Sequence, residues 1–369
     1  MTVPIADPSV GTAERERLES VLDSGQLADG SEVRAFESAF AEHCDAERAV
    51  ATANGTAALH AALRAVGVGD ESTVVTTPLS FVATANAIRF TGATPVFADV
   101  DPETYNLDPE AVEAAVRSEG GDVDAILAVH LYGLPADLGR LREIADAHDA
   151  ALVEDAAQAH GATYDGRPVG AIGDAGCFSF YPTKNMTTGE GGMVTTDSAD
   201  VADRVRRFID HGRGDGAYEH ATLGHNFRMT NLAAAIGRAQ LEKLPEFVER
   251  RRSNAARLTD RLAETPVTTP TEPADRRHAY HQYTVRTGER ERLRHALEEA
   301  GIESGVYYPT ALHELESYSD IDASAPVAER ATGEVLSLPV HPTVSASDIE
   351  AIAGTVDRAL SADGREVSR

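Results

Sequence analysis

The chain has almost no lysine. Of its 33 basic residues in 369, only Lys184 and Lys243 are lysines. Arginine serves equally well as a surface charge. It cannot serve as an amine nucleophile, because its guanidinium does not deprotonate in proteins. A lysine kept in such a chain is a candidate for amine chemistry. Cysteine is equally scarce. Cys44 and Cys177 lie far apart and form no CxxC pair, which argues against a disulfide framework or a zinc site. No apolar run approaches the ~20 residues needed to span a bilayer. The opening MTVPIADPSVGTAERERL lacks the basic-plus-apolar pattern of an export signal, so a cytoplasmic protein is expected. Positive charge is also short: 60 acidic residues outweigh the basic ones, for a net charge of −27. That balance excludes sequence-independent binding to nucleic acid or to anionic membrane, since both need a basic face. The acid is spread along the chain, as expected of a surface adapted to high salt.

What remains is a globular pattern. Short apolar runs alternate with helical stretches from AVATA (49–53) to GMVTT (192–196). This predicts an α/β fold with a mostly parallel central sheet flanked by helices. A helical stretch over about 230–264 contains Pro245. It reads as a surface connector broken near its middle. Residues beyond it mix strand and helix patterns. The expected division is a large α/β domain over 1–245 and a smaller C-terminal α+β domain over 246–369.

Lys184 lies in SFYPTKNMTTGEGGMVTT, between a strand and a Gly-rich turn. We read it as the amine that condenses with a carbonyl, that of pyridoxal phosphate. Three further elements fit that reading. Asn54-Gly55-Thr56 stands at a strand-to-helix turn, where a new helix offers free N–H groups to a phosphate; an ordinary helix cap fits equally well. Asp155 ends the apolar strand ALVED, where open α/β sheets bind ligands. A carboxylate there needs a partner, and a pyridinium N–H would be one; a helix N-cap is the alternative. Gln158 would share the site if a helix began at 155. Phe81 could stack on a flat ring, and Ser179 could donate to phosphate. Lys243, amid acids, reads as a solvated helix charge, and His160 as a packed residue. His211, His220 and His225 fit no common metal-ligand spacing, so no metal is expected.

The chain resembles the DegT/DnrJ/EryC1/StrS sugar aminotransferases almost end to end. The likeness rests on SGQLADG (24–30), NGTAAL (54–59), PLSFVATANAI (78–88), VEDAAQAHGA (153–162), the lysine stretch, GHNFRMTNLAAAIG (224–237) and LSLPVHP (336–342). It implies the aspartate-aminotransferase-like fold, type I of the pyridoxal 5'-phosphate enzymes. It also implies amino transfer from L-glutamate to a UDP- or dTDP-linked keto-sugar, in amino-sugar synthesis for surface glycans or glycoproteins. In that likeness Lys184 and Asp155 are catalytic, with Asp155 on the pyridine nitrogen. Phe81 and Gln158 contact the cofactor ring, and Gly55, Thr56 and Ser179 hold its phosphate. Asn226 would reach the phosphate of a neighbouring subunit, implying a homodimer with shared sites. Arg228, Tyr308 and His313 match positions near the nucleotide-sugar. The alternatives are an elimination or dehydration on the same fold and a regulator that binds the cofactor without turnover. A dehydratase branch carries His where this chain has Lys184.

Overall fold

The computed structural model describes residues 2–214, 216 and 218–361. In chain order the elements are α1 (Thr12–Ser24), α2 (Ser31–Cys44), β1 (Arg48–Thr52), α3 (Gly55–Ala65), β2 (Thr73–Thr76), α4 (Ala83–Phe90) and β3 (Thr94–Phe97). Then come α5 (Pro109–Ser118), β4 (Ala125–Val129), α6 (Leu138–Ala147), β5 (Ala151–Asp155), β6 (Thr163–Tyr164), β7 (Arg167–Pro168), β8 (Ala175–Ser179), β9 (Gly192–Thr196) and α7 (Ala199–Ile209). The remainder is α8 (Asn231–Leu262), β10 (Arg276–Arg277), β11 (Tyr283–Arg286), α9 (Arg290–Glu299), α10 (Pro326–Glu334), β12 (Val335–Leu338) and α11 (Ala346–Leu360).

Seven strands form the main sheet in the order β1-β9-β8-β5-β4-β2-β3. From β3 across to β8 every pairing is parallel; β9 runs antiparallel to both its neighbours. The apolar runs are continuous because both faces are covered. Ile126 and Ala128 of β4 enter one core, while Ala125 and Leu127 enter the other. The carboxyl ends of β1, β2, β4, β5 and β8 all reach one edge of the sheet, where open α/β sheets bind ligands.

A third core gathers residues 255–360, around the two-stranded pair β11–β12, α9 and α11. The structure corrects the reading of the long helix. Pro245 does not break α8, which runs unbroken from Asn231 to Leu262. Proline removes one intrahelical bond, but Leu241, Leu244, Val248, Arg251, Ala255, Leu258 and Leu262 form one buried stripe. That packing against α1, α2 and α11 outweighs the lost bond and makes α8 a core element. Beyond it, α10 (Pro326–Glu334) passes directly into β12 (Val335–Leu338).

Lys243 is also corrected. It is no solvated charge: its Nζ meets Oε1 of Glu14 at 2.5 Å, and the Glu14 side chain is fully buried. Burial would raise the Glu14 carboxyl, but hydrogen bonds from Lys243, the Gly11 amide and Gln240 bring it down to about 2. A carboxylate lowered on folding stabilises the fold above its ordinary range, and that contribution is lost as pH falls. Here the loss falls between about 4.5 and 2. Lys243→Met leaves Glu14 buried without its cation. We expect about 3 kcal/mol less stability at neutral pH, read as a lower urea midpoint, and a weaker acid dependence than the parent. An unchanged midpoint would show that the pair adds nothing.

Candidate active site

At the carboxyl edge of the sheet lies a cavity of about 780 Å³. Gly55, Thr56, Phe81, Asp155, Gln158, Ser179, Lys184 and Tyr308 all line it. Strand ends place several of them. Asp155 is the last residue of β5, Ser179 the last of β8, and Gly55 the first of α3.

Lys184 sits in a clamped loop. Its amide donates to the Tyr181 carbonyl, and the Phe180 amide to that of Gly191. Thr187 Oγ1 donates to the Phe180 carbonyl at 2.9 Å, and Asn185 Nδ2 to that of Ala279 at 3.1 Å. Among the described residues no hydrogen bond or ion pair engages the Lys184 amine. Burial lowers it to about 8, against the opposing pull of the Asp155 carboxylate. Near neutral pH a useful fraction is therefore the free nucleophile.

Asp155 is 5% exposed. Burial raises its carboxyl; Thr84, the Ala157 amide, Lys184 and His130 oppose that shift. Thr84 Oγ1 donates to Oδ2 at 2.8 Å and Ala157 N to Oδ1 at 3.2 Å. No helix begins at 155: the chain turns instead, so Asp155 is not a helix cap. Gln158 reaches the cavity from that turn. Its Oε1 accepts from the Tyr132 amide at 2.7 Å, and its Nε2 donates to the Tyr308 hydroxyl at 3.0 Å. Beneath Asp155, Glu154 is fully buried and takes hydrogen bonds from His130, Gly170, Ile172 and Gly173, which fixes the strand end.

Asn54 caps α3, accepting from the Ala57 amide. The Gly55 and Thr56 amides have no protein partner among the described residues, so the capped turn also offers free N–H donors to the cavity. A Cβ on Gly55 would stand 2.7 Å from that of Ser179. Only glycine lets the helix start approach β8 so closely. Phe81 is 55% exposed on the cavity wall, with the Tyr308 ring 6.1 Å away. Packing in the core does not explain it.

Three expected residues stand apart from this cavity. Asn226 is exposed, on a segment bridged to Asp210. Arg228 pairs with Asp210. His313 is buried in a short 3₁₀ turn, at 3.1 Å from Glu329 and against Phe97. Two residues went unread in the sequence. Thr84 is the side-chain donor to Asp155. His281 lines the cavity; burial and the positive fields of Lys184 and Arg251 hold it well below its ordinary value, so it is neutral beside the lysine. Neither belongs to a residue pattern that marks chemistry.

Comparison with known proteins agrees with the geometry. Residues 8–357 match the DegT/DnrJ/EryC1/StrS aminotransferase family. A pleiotropic regulatory protein of Geobacillus stearothermophilus is 41% identical, over 88% of both chains. A UDP-N-acetyl-3-dehydro-alpha-D-glucosamine 3-aminotransferase of Acidithiobacillus ferrooxidans is 37% identical, over 92% of both. The crystal structure of a DegT DnrJ EryC1 StrS aminotransferase from Brucella abortus superposes with a TM-score of 0.90 at 35% identity, covering 93% of this chain and 94% of that one. With a lysine, a strand-end aspartate and a glycine cradle around one cavity at the sheet edge, and with this likeness over nearly its whole length, the chain belongs to the DegT/DnrJ/EryC1/StrS aminotransferase family.

Proposed function

We propose that the protein is a pyridoxal 5'-phosphate-dependent aminotransferase that moves an amino group from L-glutamate to a nucleotide-linked keto-sugar. The observation that carries the reading is the convergence of Lys184, Asp155 and the Gly55–Thr56 cradle on one cavity. The residues fit the cofactor. Unpartnered amides at the start of α3 and the Ser179 hydroxyl suit a phosphate, Phe81 suits a flat ring, and the buried Asp155 suits a ring N–H. When bound, the cofactor supplies an aldehyde to carry the amino group and a ring to draw off electrons. Lys184 Nζ then takes a proton from the α-carbon of the donor and returns one to the accepting carbon of the sugar. Thr84 and the Ala157 amide aim Asp155, and Tyr307 and Tyr308 add to the cavity wall.

We infer a cytoplasmic homodimer working at high salt. Tyr218, Leu223 and Phe90 are exposed apolar side chains that a second copy would cover. In that assembly Asn226 of one protomer serves the phosphate site of the other, and Arg228 and His313 act near the sugar nucleotide. The division into units over 1–245 and 246–369 is likewise our reading. Amino-sugar synthesis for surface glycans or glycoproteins is the setting that fits. A relative is named as a regulator, but a protein that only bound the cofactor would gain nothing from an amine tuned toward neutrality. The test is purified protein with L-glutamate and a panel of UDP- and dTDP-keto-sugars, with mass detection of the amino-sugar. The expected result is an amine from at least one, with ping-pong kinetics. No amine from any, together with a cofactor spectrum that glutamate leaves unchanged, would overturn the proposal.

A further inference from the structure

A second cavity, of about 250 Å³, shares only Thr183 and Lys184 with the first. It lies between α8, the lysine loop, the segment 6–9 and the turn at Pro342–Thr343. The reaction derived above leaves it unused.

Its distinguishing feature is Arg251, which is 5% exposed. Nη1 donates to the carbonyls of Tyr280 and His281 at 3.2 and 3.3 Å. Nε is buried without a partner, and Nη2 has none among the described residues. Among the described residues no carboxylate forms an ion pair with Arg251. Burial lowers the guanidinium to about 10, so it remains protonated at neutral pH. The contrast with Arg250 on the same wall is direct: Arg250 Nη2 meets Glu246 Oε1 at 2.7 Å. The surrounding histidines are held neutral. Burial lowers His160, His281 and His341, and Arg251 reinforces each shift.

A buried cation with open donors and no counter-ion is costly, and a bound anion removes that cost. Ser9 and Thr183 line the same space, and their hydroxyls have no protein partner among the described residues. Asp7 and Glu246 also line it, and their carboxylates repel a multiply charged ligand. We propose that this cavity is a binding site for a small monovalent anion of halide size, held by Arg251 with the hydroxyls of Ser9 and Thr183.

The site bears on Lys184, which lines it. A negative charge there favours the protonated amine, so halide lowers the fraction of free nucleophile at a given pH.

The test uses the whole chain. Crystals soaked in sodium bromide are expected to give an anomalous peak within hydrogen-bond distance of Arg251 Nη2. In solution, chloride-35 line broadening is expected to contain a saturable component. Arg251→Met should weaken it at least about tenfold. Should that variant fail to fold, Ser9→Ala should weaken it about threefold. Bromide found only on the surface overturns the site. So does saturable broadening that survives Arg251→Met or is unmoved by Ser9→Ala. Sulfate displacing bromide at equal concentration overturns the preference for a single charge. None of these readouts depends on which substrate the first cavity takes.

Discussion

Lys184→Ala abolishes turnover, by at least about 10³-fold, while the protein still folds and retains its dimension in solution. The size of the effect follows from the two duties the proposed function gives to one amine: covalent attachment and proton transfer. No other lysine substitutes, since Lys243 is engaged by Glu14. His281 is near but held neutral and lowered well below its ordinary value, so it is a poor base. Borohydride reduction of the loaded protein followed by peptide mapping gives a second readout: the cofactor should be found on the peptide containing Lys184. Normal turnover in the variant, or an unmodified Lys184 after reduction, would refute the assignment.

Asp155→Ala comes next in size. On the proposed function the variant loses the carboxylate that would hold a proton on the ring nitrogen, and proton transfer at the substrate carbon is expected to slow by about 10²–10⁴-fold. Cofactor affinity falls as well. The thermal stabilisation given by added pyridoxal 5'-phosphate should shrink, while the variant without cofactor should be no less stable than its parent. The last point has a physical reason: burial alone raises the Asp155 carboxyl, so its charge is a burden on the empty protein. Asp155→Asn separates charge from shape, and should fail nearly as badly. Full activity and full thermal stabilisation in either variant would remove Asp155 from the ring nitrogen.

The sequence was most legible where a residue's chemistry was out of place. A lysine in a chain otherwise stripped of lysine, and a carboxylate at the end of an apolar strand, both stand out against their surroundings. The α/β alternation was legible too, because a sheet covered on both faces leaves continuous apolar runs. What stayed hidden depended on distance along the chain. Lys243 read as solvated because Glu14, its partner, lies 229 residues away. Pro245 read as a break because the packing that sustains α8 comes from elements that local pattern does not reveal. Thr84 was missed for a similar reason. A threonine on a helix is ordinary until the strand carrying Asp155 is folded beside it. His281 became visible only once the segment leading into β11 was seen to be tied to the lysine loop, through the hydrogen bond from Asn185 to the Ala279 carbonyl.

The continuity of α8 has a consequence for how the molecule melts. One rod supplies side chains to the first core, through Leu241, Leu244 and Val248, and to the third, through Ala255, Leu258 and Leu262. Fraying of either half strips apolar cover from the rod and so weakens the other. Calorimetry should therefore record a single cooperative endotherm, and a polypeptide truncated after position 245 should aggregate rather than persist as an autonomous piece.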